Sequence, residues 1–242
     1  MRWRSLRWVL LIVAAAATGV ATWAAVTGHR GPIFGLPTGG DPGQATLEAL
    51  GRYGEVPDFS LTERSGRPVT RADLLRKVWV ASFIYTQCTE TCPLQTARVA
   101  RLQGQFAAEP DLRLVSITVD PERDTPAALS TYAEKYGADP RRWLFLTGDK
   151  GAIYRLAKEG FRLGVVDPDD PAPARTFLSP APAWASHGSK GLVMHSSRLV
   201  LVDRQATIRA YHFPDDERSL GRLQRNLRAL LRERPTRASR EP

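Results

Sequence analysis

Cysteine is almost absent from this chain of 242 residues: it occurs only at positions 88 and 92. Histidine occurs four times. Sulfur chemistry is therefore confined to one short stretch, Tyr85-Thr86-Gln87-Cys88-Thr89-Glu90-Thr91-Cys92-Pro93, and few imidazoles can assist it. No cysteine lies near the N-terminus, which excludes lipid attachment to a cysteine there. No internal repeat is visible. Acidic residues are in deficit, 25 against 34 basic ones, leaving a net charge of +9. Much of the excess is the C-terminal series Arg218, Arg222, Arg225, Arg228, Arg232, Arg234, Arg237 and Arg240. Nucleic acid, an anionic membrane surface and an acidic partner all suit such a cluster. Ordinary surface patterning favours a solvated helix face with a frayed tail, and no nucleic-acid partner is expected.

What is present is ordinary for a folded chain: 43% hydrophobic and 24% charged residues, which argues against wholesale disorder. The length leaves room for one domain of about 150–200 residues after a short N-terminal segment. Arg2, Arg4 and Arg7 precede Trp8 to Val26, 19 residues without a charge. Such a segment just spans a hydrocarbon core of about 30 Å. The arginines before it would stay in the cytoplasm, with the remainder on the outer, periplasmic side. A retained single-pass anchor in the cytoplasmic membrane is expected, with a cleaved signal peptide as the alternative. The organisation expected is anchor or signal over 1–27, a Gly- and Pro-bearing tether over 28–54, the domain over 55–233 and a basic tail over 234–242.

Within the domain, two extended pieces flank Arg64-Ser65-Gly66 and predict a hairpin. Lys77 to Tyr85 is nearly all apolar, as suits a strand covered on both faces. A helix opening at Pro93 carries Val99, Leu102 and Phe106 on one side, and Leu112 to Val119 is the next buried strand. Thr125 is placed to cap a helix whose first residue is Pro126, with Leu129, Tyr132, Ala133 and Tyr136 on its apolar face and Gly137 as its stop. Trp143 to Leu146 predicts a strand, Ile153, Leu156 and Ala157 mark a helix, and Phe161 to Val166 is read as extended. After a proline-crowded interruption, Arg198 to Val202 and Ile208 to Tyr211 predict a strand pair. Leu220, Leu223, Leu227 and Leu230 mark a closing amphipathic helix. This order is that of a thioredoxin-like α/β fold, a central mixed sheet flanked by helices.

Proline tolerates only the first turn of a helix, and the residue before it avoids helical geometry. Cys92 is therefore expected at a helix start, with Cys88 in the loop leaving the buried strand. There, unpaired N–H groups and the helix dipole favour thiolate. Three readings compete. A structural disulfide closes so small a loop that it adds little stability. A dithiol–disulfide switch fits the strand-loop-helix placement, though redox pairs of this kind usually have two residues between the cysteines. The third spacer residue lets the sulfurs spread, which suits copper(I) with one further ligand.

His29 lies in the tether, His187 in the proline-rich stretch and His212 at the end of the last strand. A lone histidine is more often structural than a ligand. His195 differs because it precedes the late hairpin, at the place across from the active loop that a cis-proline usually occupies in this fold. Met194 beside it reads as core, since adjacent residues of an extended segment point to opposite faces.

The residues FIYTQCTETCP (83–93), SITVDPERDTPAALSTYAEKYG (116–137), WLFLTG (143–148) and HSSRLVLVD (195–203) resemble the Sco/SenC family, thioredoxin-fold copper chaperones that help build the dinuclear copper A centre of cytochrome c oxidase. The resemblance implies one copper bound by Cys88, Cys92 and His195. It also implies delivery of copper or electrons to subunit II of the oxidase on the outer face of the membrane, with other copper chaperones as further partners. Asp120 and Asp124 match acidic positions of the family motif and are read as turn formers that support the Thr125 cap. The stretch 166–191, with prolines at 168, 171, 173, 180 and 182, is longer than the family pattern suggests, so His187 is a reserve ligand. Function is expected to be metallochaperone rather than enzyme. The rival is a thiol–disulfide oxidoreductase using Cys88 and Cys92 as its redox pair. A peroxidase of the peroxiredoxin type ranks third, since it would leave His195 without a role.

Overall fold

The apolar run after Lys77 becomes β3 (Val78–Ile84), and all seven of its residues are buried. The computed structural model describes residues 47–89, 91–163 and 197–233, together with the backbone course of 165–166 and 194–195. β3 lies inside a seven-stranded sheet of order β2-β1-β5-β4-β3-β8-β9. Its neighbours are β4 (Leu112–Thr118), parallel to it from Val78↔Leu112 to Ile84↔Thr118, and β8 (Leu199–Val202), antiparallel to it. β5 (Trp143–Thr147) extends the parallel part, and the hairpin β1 (Ser60–Glu63) and β2 (Pro68–Thr70) closes one edge. Gly66 in that hairpin's turn has φ 86, a conformation glycine adopts without strain. The one-turn helix α1 (Arg71–Leu74) leads from β2 towards β3.

Register fixes which face each side chain serves. Ser82, Ser116 and Phe145 are in line across β3, β4 and β5, and so share one face. Over it lie α2 (Thr91–Gln105), α3 (Pro126–Lys135) and α5 (Glu217–Arg232). Tyr132 of α3 meets the Phe145 ring at 6.3 Å, and its hydroxyl bonds Thr96 of α2 at 2.9 Å. An Arg98–Glu217 ion pair and Arg228 over the Phe106 ring join α5 to α2. Trp79 and Phe83 point to the opposite face, where Phe161 meets both rings edge-on at 5.8 and 5.3 Å. Two parallel crossovers of the same hand put α2 and α3 on one side, and Phe161, in the stretch after β5, covers part of the other.

Thr125 caps α3 by accepting from the Ala128 N–H, Pro126 is its first residue, and Gly137 with φ 62 ends it, as expected. The stretch after β5 departs from expectation. α4 (Lys150–Arg155) passes into a π-helical turn over Leu156–Gly160, closed by the Phe161 N–H on the Leu156 carbonyl at 2.9 Å. The extended course read over 161–166 is confined to β6 (Val165–Val166). Close packing accounts for the turn: a Cβ on Gly160 would stand 2.7 Å from Pro57 Cδ, so only glycine lets the segment settle here.

The tether expected over 28–54 gives way to the domain by residue 47. Gly51 and Tyr53 N–H groups donate to the Arg209 and Ile208 carbonyls of β9 (Ile208–His212), each at 2.9 Å, and Ile208 N–H donates to Gly54 at 2.8 Å. No described helix is long and apolar enough to cross a membrane. The anchor expected over 8–26 lies outside the described residues.

Candidate functional site

Cys88 sits half-buried in the loop leaving β3, while Cys92 is fully buried in the first turn of α2. The helix opens at Thr91, two residues before Pro93, so Cys92 is inside the first turn rather than just ahead of it. Pro93 still falls where a missing N–H costs nothing. The Cys92 N–H of that turn donates to Cys88 Sγ at 3.4 Å. The sulfurs are not joined in a disulfide. The Cys92 thiol is pushed far up from the usual thiol range, first by its hydrogen bond to Cys88, then by burial and the Cys88 charge beside it. Cys92 thus keeps its proton, while Cys88 is the more accessible sulfur. Such a pair can hold a soft metal ion or exchange with a disulfide.

The loop carrying Cys88 is clamped from below by Asp124. Its buried carboxylate accepts the Thr86 N–H at 3.0 Å, the Thr86 hydroxyl at 2.5 Å and the Thr118 hydroxyl at 2.5 Å. Burial raises the Asp124 pKa, against the pull of these hydrogen bonds. The expectation that both aspartates form the turn holds for Asp120, whose carbonyl accepts the Arg123 and Asp124 N–H groups and whose carboxylate pairs with Arg123 at 2.5 Å. Asp124 joins the turn through its N–H, but its carboxylate serves elsewhere, because the Thr86 and Thr118 hydroxyls lie near the ends of adjacent parallel strands and converge on it. Thr86 and Thr118 support the site without a motif to mark them; their one trace in the sequence is a threonine two residues past β3 and another as the last residue of β4.

His195 lies in β7 (Met194–His195), which pairs antiparallel with β6 through Val165↔His195. Two residues further on, Ser197 Oγ donates to Thr91 Oγ1 at 3.1 Å, and Gln95 Nε2 reaches the Arg198 carbonyl at 3.5 Å. The chain leaving His195 is thereby fastened to the first turns of α2, beside Cys92. The side chains of Met194 and His195, and the whole of His187 and His29, lie outside the described residues. His212 is elsewhere, buried at the end of β9 against Asn226. Among the described residues no three histidine, cysteine, aspartate or glutamate side chains gather closely enough to hold a metal.

Comparison with known proteins gives a concordant result. A family model described as SCO1/SenC matches residues 47–232. A SCO1 protein homolog of Bacillus subtilis is 37% identical over 117 residues, 48% of this chain, and the match spans 61% of that relative's length. A protein of Stutzerimonas stutzeri, named for copper binding, is 32% identical over 170 residues, covering 69% of this chain and 74% of its own. Among solved structures, BsSco superposes with a TM-score of 0.58 at 26% identity, covering 77% of this chain and 98% of its own. BsSco is described as a member of the Sco family of cytochrome c oxidase assembly proteins in which a disulfide switch was identified.

Proposed function

The chain belongs to the SCO1/SenC family, and from that premise we propose that it is a copper metallochaperone. Its cargo is one copper ion held by Cys88, Cys92 and His195. The observation that carries this reading is the convergence on one helix start: Cys92 N–H on Cys88 Sγ, and Ser197 on Thr91 just downstream of His195. Two sulfur ligands with one imidazole suit copper, and the half-buried Cys88 offers a way in and out for a transferred ion. The partner is subunit II of cytochrome c oxidase, whose copper A site receives the ion. The segment 8–26 anchors the chain in the cytoplasmic membrane, with the domain on its outer side.

The test is copper stoichiometry and spectra of the reduced protein. Wild type binds one copper, and Cys88→Ser, Cys92→Ser and His195→Ala each lose affinity. Near-normal binding by His195→Ala sinks the three-ligand site, and a gain of function by His187 would show as loss in His187→Ala instead.

A second reading is favoured by the asymmetry of the two sulfurs. Cys88 Sγ attacks a disulfide of the oxidase subunit, releasing one partner thiolate. Cys92 then closes the Cys88–Cys92 bond and releases the second, so two electrons pass to the partner. A measured Cys88–Cys92 potential too oxidising to reduce that disulfide removes this reading.

A further inference from the structure

Gln95 is fully buried one turn after Cys92, yet its Oε1 has no hydrogen-bond partner. Among the described residues it is the one buried side-chain oxygen of α2 left in that state. Neighbouring buried oxygens are committed. Thr96 bonds the Tyr132 hydroxyl, and the Asp124 carboxylate takes donors from Thr86 and Thr118. An unpaired acceptor shielded from water is costly, whereas an apolar side chain of similar size would fill the space without that cost. A buried oxygen kept free calls for a partner that comes and goes.

The other end of the amide fixes its orientation. Only Nε2 can donate to the Arg198 carbonyl, so Oε1 takes the opposite corner of the group. Helical side chains lean towards the N-terminus of their helix, and residues three apart share a face. Gln95 therefore reaches back over the turn that holds Cys92. That turn is also where Ser197 bonds Thr91, so the amide sits in the corner between α2 and the chain fastened to it.

Copper(I) selects soft thiolate with imidazole, and a carboxamide oxygen adds little to it. Copper(II) takes nitrogen and oxygen ligands as well, and glutamine serves as a weak, long ligand in copper sites that also contain cysteine. We propose that Gln95 Oε1 is an oxygen ligand of copper(II), a fourth member of the site that leaves copper(I) to the softer ligands. The site is thereby equipped to hold its cargo in either oxidation state. This inference rests on the copper reading of Cys88 and Cys92 above.

The full chain is titrated with copper(I) and, separately, with copper(II) against competing chelators, as wild type, Q95L and Q95E. Q95L removes both the oxygen and the Nε2 donor to Arg198. It is expected to lose about tenfold more affinity for copper(II) than for copper(I). The potential of the bound copper then rises by ~59 mV for that tenfold change. Q95E also gives up the Nε2 donor but keeps an oxygen, so its copper(II) affinity is expected to stay well above that of Q95L. A role confined to strapping Arg198 would instead weaken both variants alike.

Matching losses in Q95L and Q95E, equal loss of both oxidation states, or wild-type copper(II) binding by Q95L overturns the proposal. The last result would leave a buried water as the partner of Oε1. A measurement on the wild type keeps the test open should a variant fail to fold. Protein made with glutamine carrying a magnetic carbon isotope at Cδ is expected to show that carbon coupled to copper(II) in electron–nuclear double resonance. The signal should persist when Gln87 alone is left unlabelled, and its absence overturns the proposal. Copper(I) stoichiometry of the wild type tests the copper reading separately. Failure there removes that reading, whereas intact copper(I) binding with no carbon coupling removes the Gln95 ligand alone.

Discussion

Thr86 and Asp124 lie 38 positions apart in the chain, yet Thr86 gives both its N–H and its hydroxyl to the Asp124 carboxylate. Thr118 supplies a third donor to the same group. The loop that carries Cys88 is thus fixed to the turn after β4 by charge-assisted hydrogen bonds, shielded from water. Its conformation is set by the body of the domain and not by the cysteines themselves.

Asp124→Ala removes that acceptor and leaves three donors unpaired in a buried site. A stability loss of about 2–4 kcal/mol is expected, read from urea unfolding. The freed loop should also release copper faster in a chelator competition. Wild-type stability together with wild-type copper release would show that Asp124 is not a clamp.

Copper loading should release a proton from Cys92. That thiol is held protonated by its bond to Cys88, its burial and the Cys88 charge, and only the thiolate is a ligand. Apparent affinity should rise by about tenfold per pH unit across neutral pH for one proton released. Calorimetry in buffers of different ionisation enthalpy counts the protons. A value of zero contradicts the protonation state assigned to Cys92.

His212 gives the fold an acid-sensitive point. Burial lowers its pKa to about 4 from the ordinary 6.5, with the Arg222 charge adding to the fall and Glu48 opposing it. The unfolded chain takes up this proton at about pH 6.5, and the folded chain takes it up only near 4. Stability is therefore full above about pH 6.5 and falls as pH drops through that window. The loss attributable to this residue is about 3 kcal/mol. Unfolding midpoints of wild type and His212→Gln, compared at pH 7 and 4.5, should converge at the acid end. Parallel pH profiles would place the sensitivity elsewhere.

Phe161→Ala should cost about 3–5 kcal/mol, because it empties a fully buried space between Trp79 and Phe83 at the end of the π-helical turn. Thermal or chemical unfolding measures it. A loss under about 1 kcal/mol would mean that the face closes over the gap.

The sequence was most legible where its signals are local. The apolar run of β3, the Thr125-Pro126 start of α3 and the four leucines of α5 all took the form their spacing predicted. Periodicity and capping depend on near neighbours, and no distant contact overrode them. The Asp124 clamp was hidden because an aspartate in a turn has a sufficient local explanation, and its real partner is two elements away. The π-helical turn depends on the approach of Gly160 to Pro57, which no local pattern encodes. The stretch 47–54 resembles linker in its glycines and lack of periodicity, since backbone hydrogen bonds to β9 leave no side-chain signature. At the site, the CxxxC spacing and Pro93 located the sulfurs correctly to the helix start. The nearness of the segment after His195 rests on Ser197 and Thr91, two hydroxyls without a motif of their own.

The strip of chain at residues 51–56 also guards the domain against its own kind. By bonding along β9 it occupies hydrogen-bonding groups that a five-residue strand would otherwise present to another copy. The opposite edge is held by β2, only three residues long and opened by Pro68, a poor template for pairing. A fragment cut at residue 57 would keep both cysteines and the helices α1 to α5, yet would carry one raw sheet edge into solution and invite the self-association that the strip along β9 prevents.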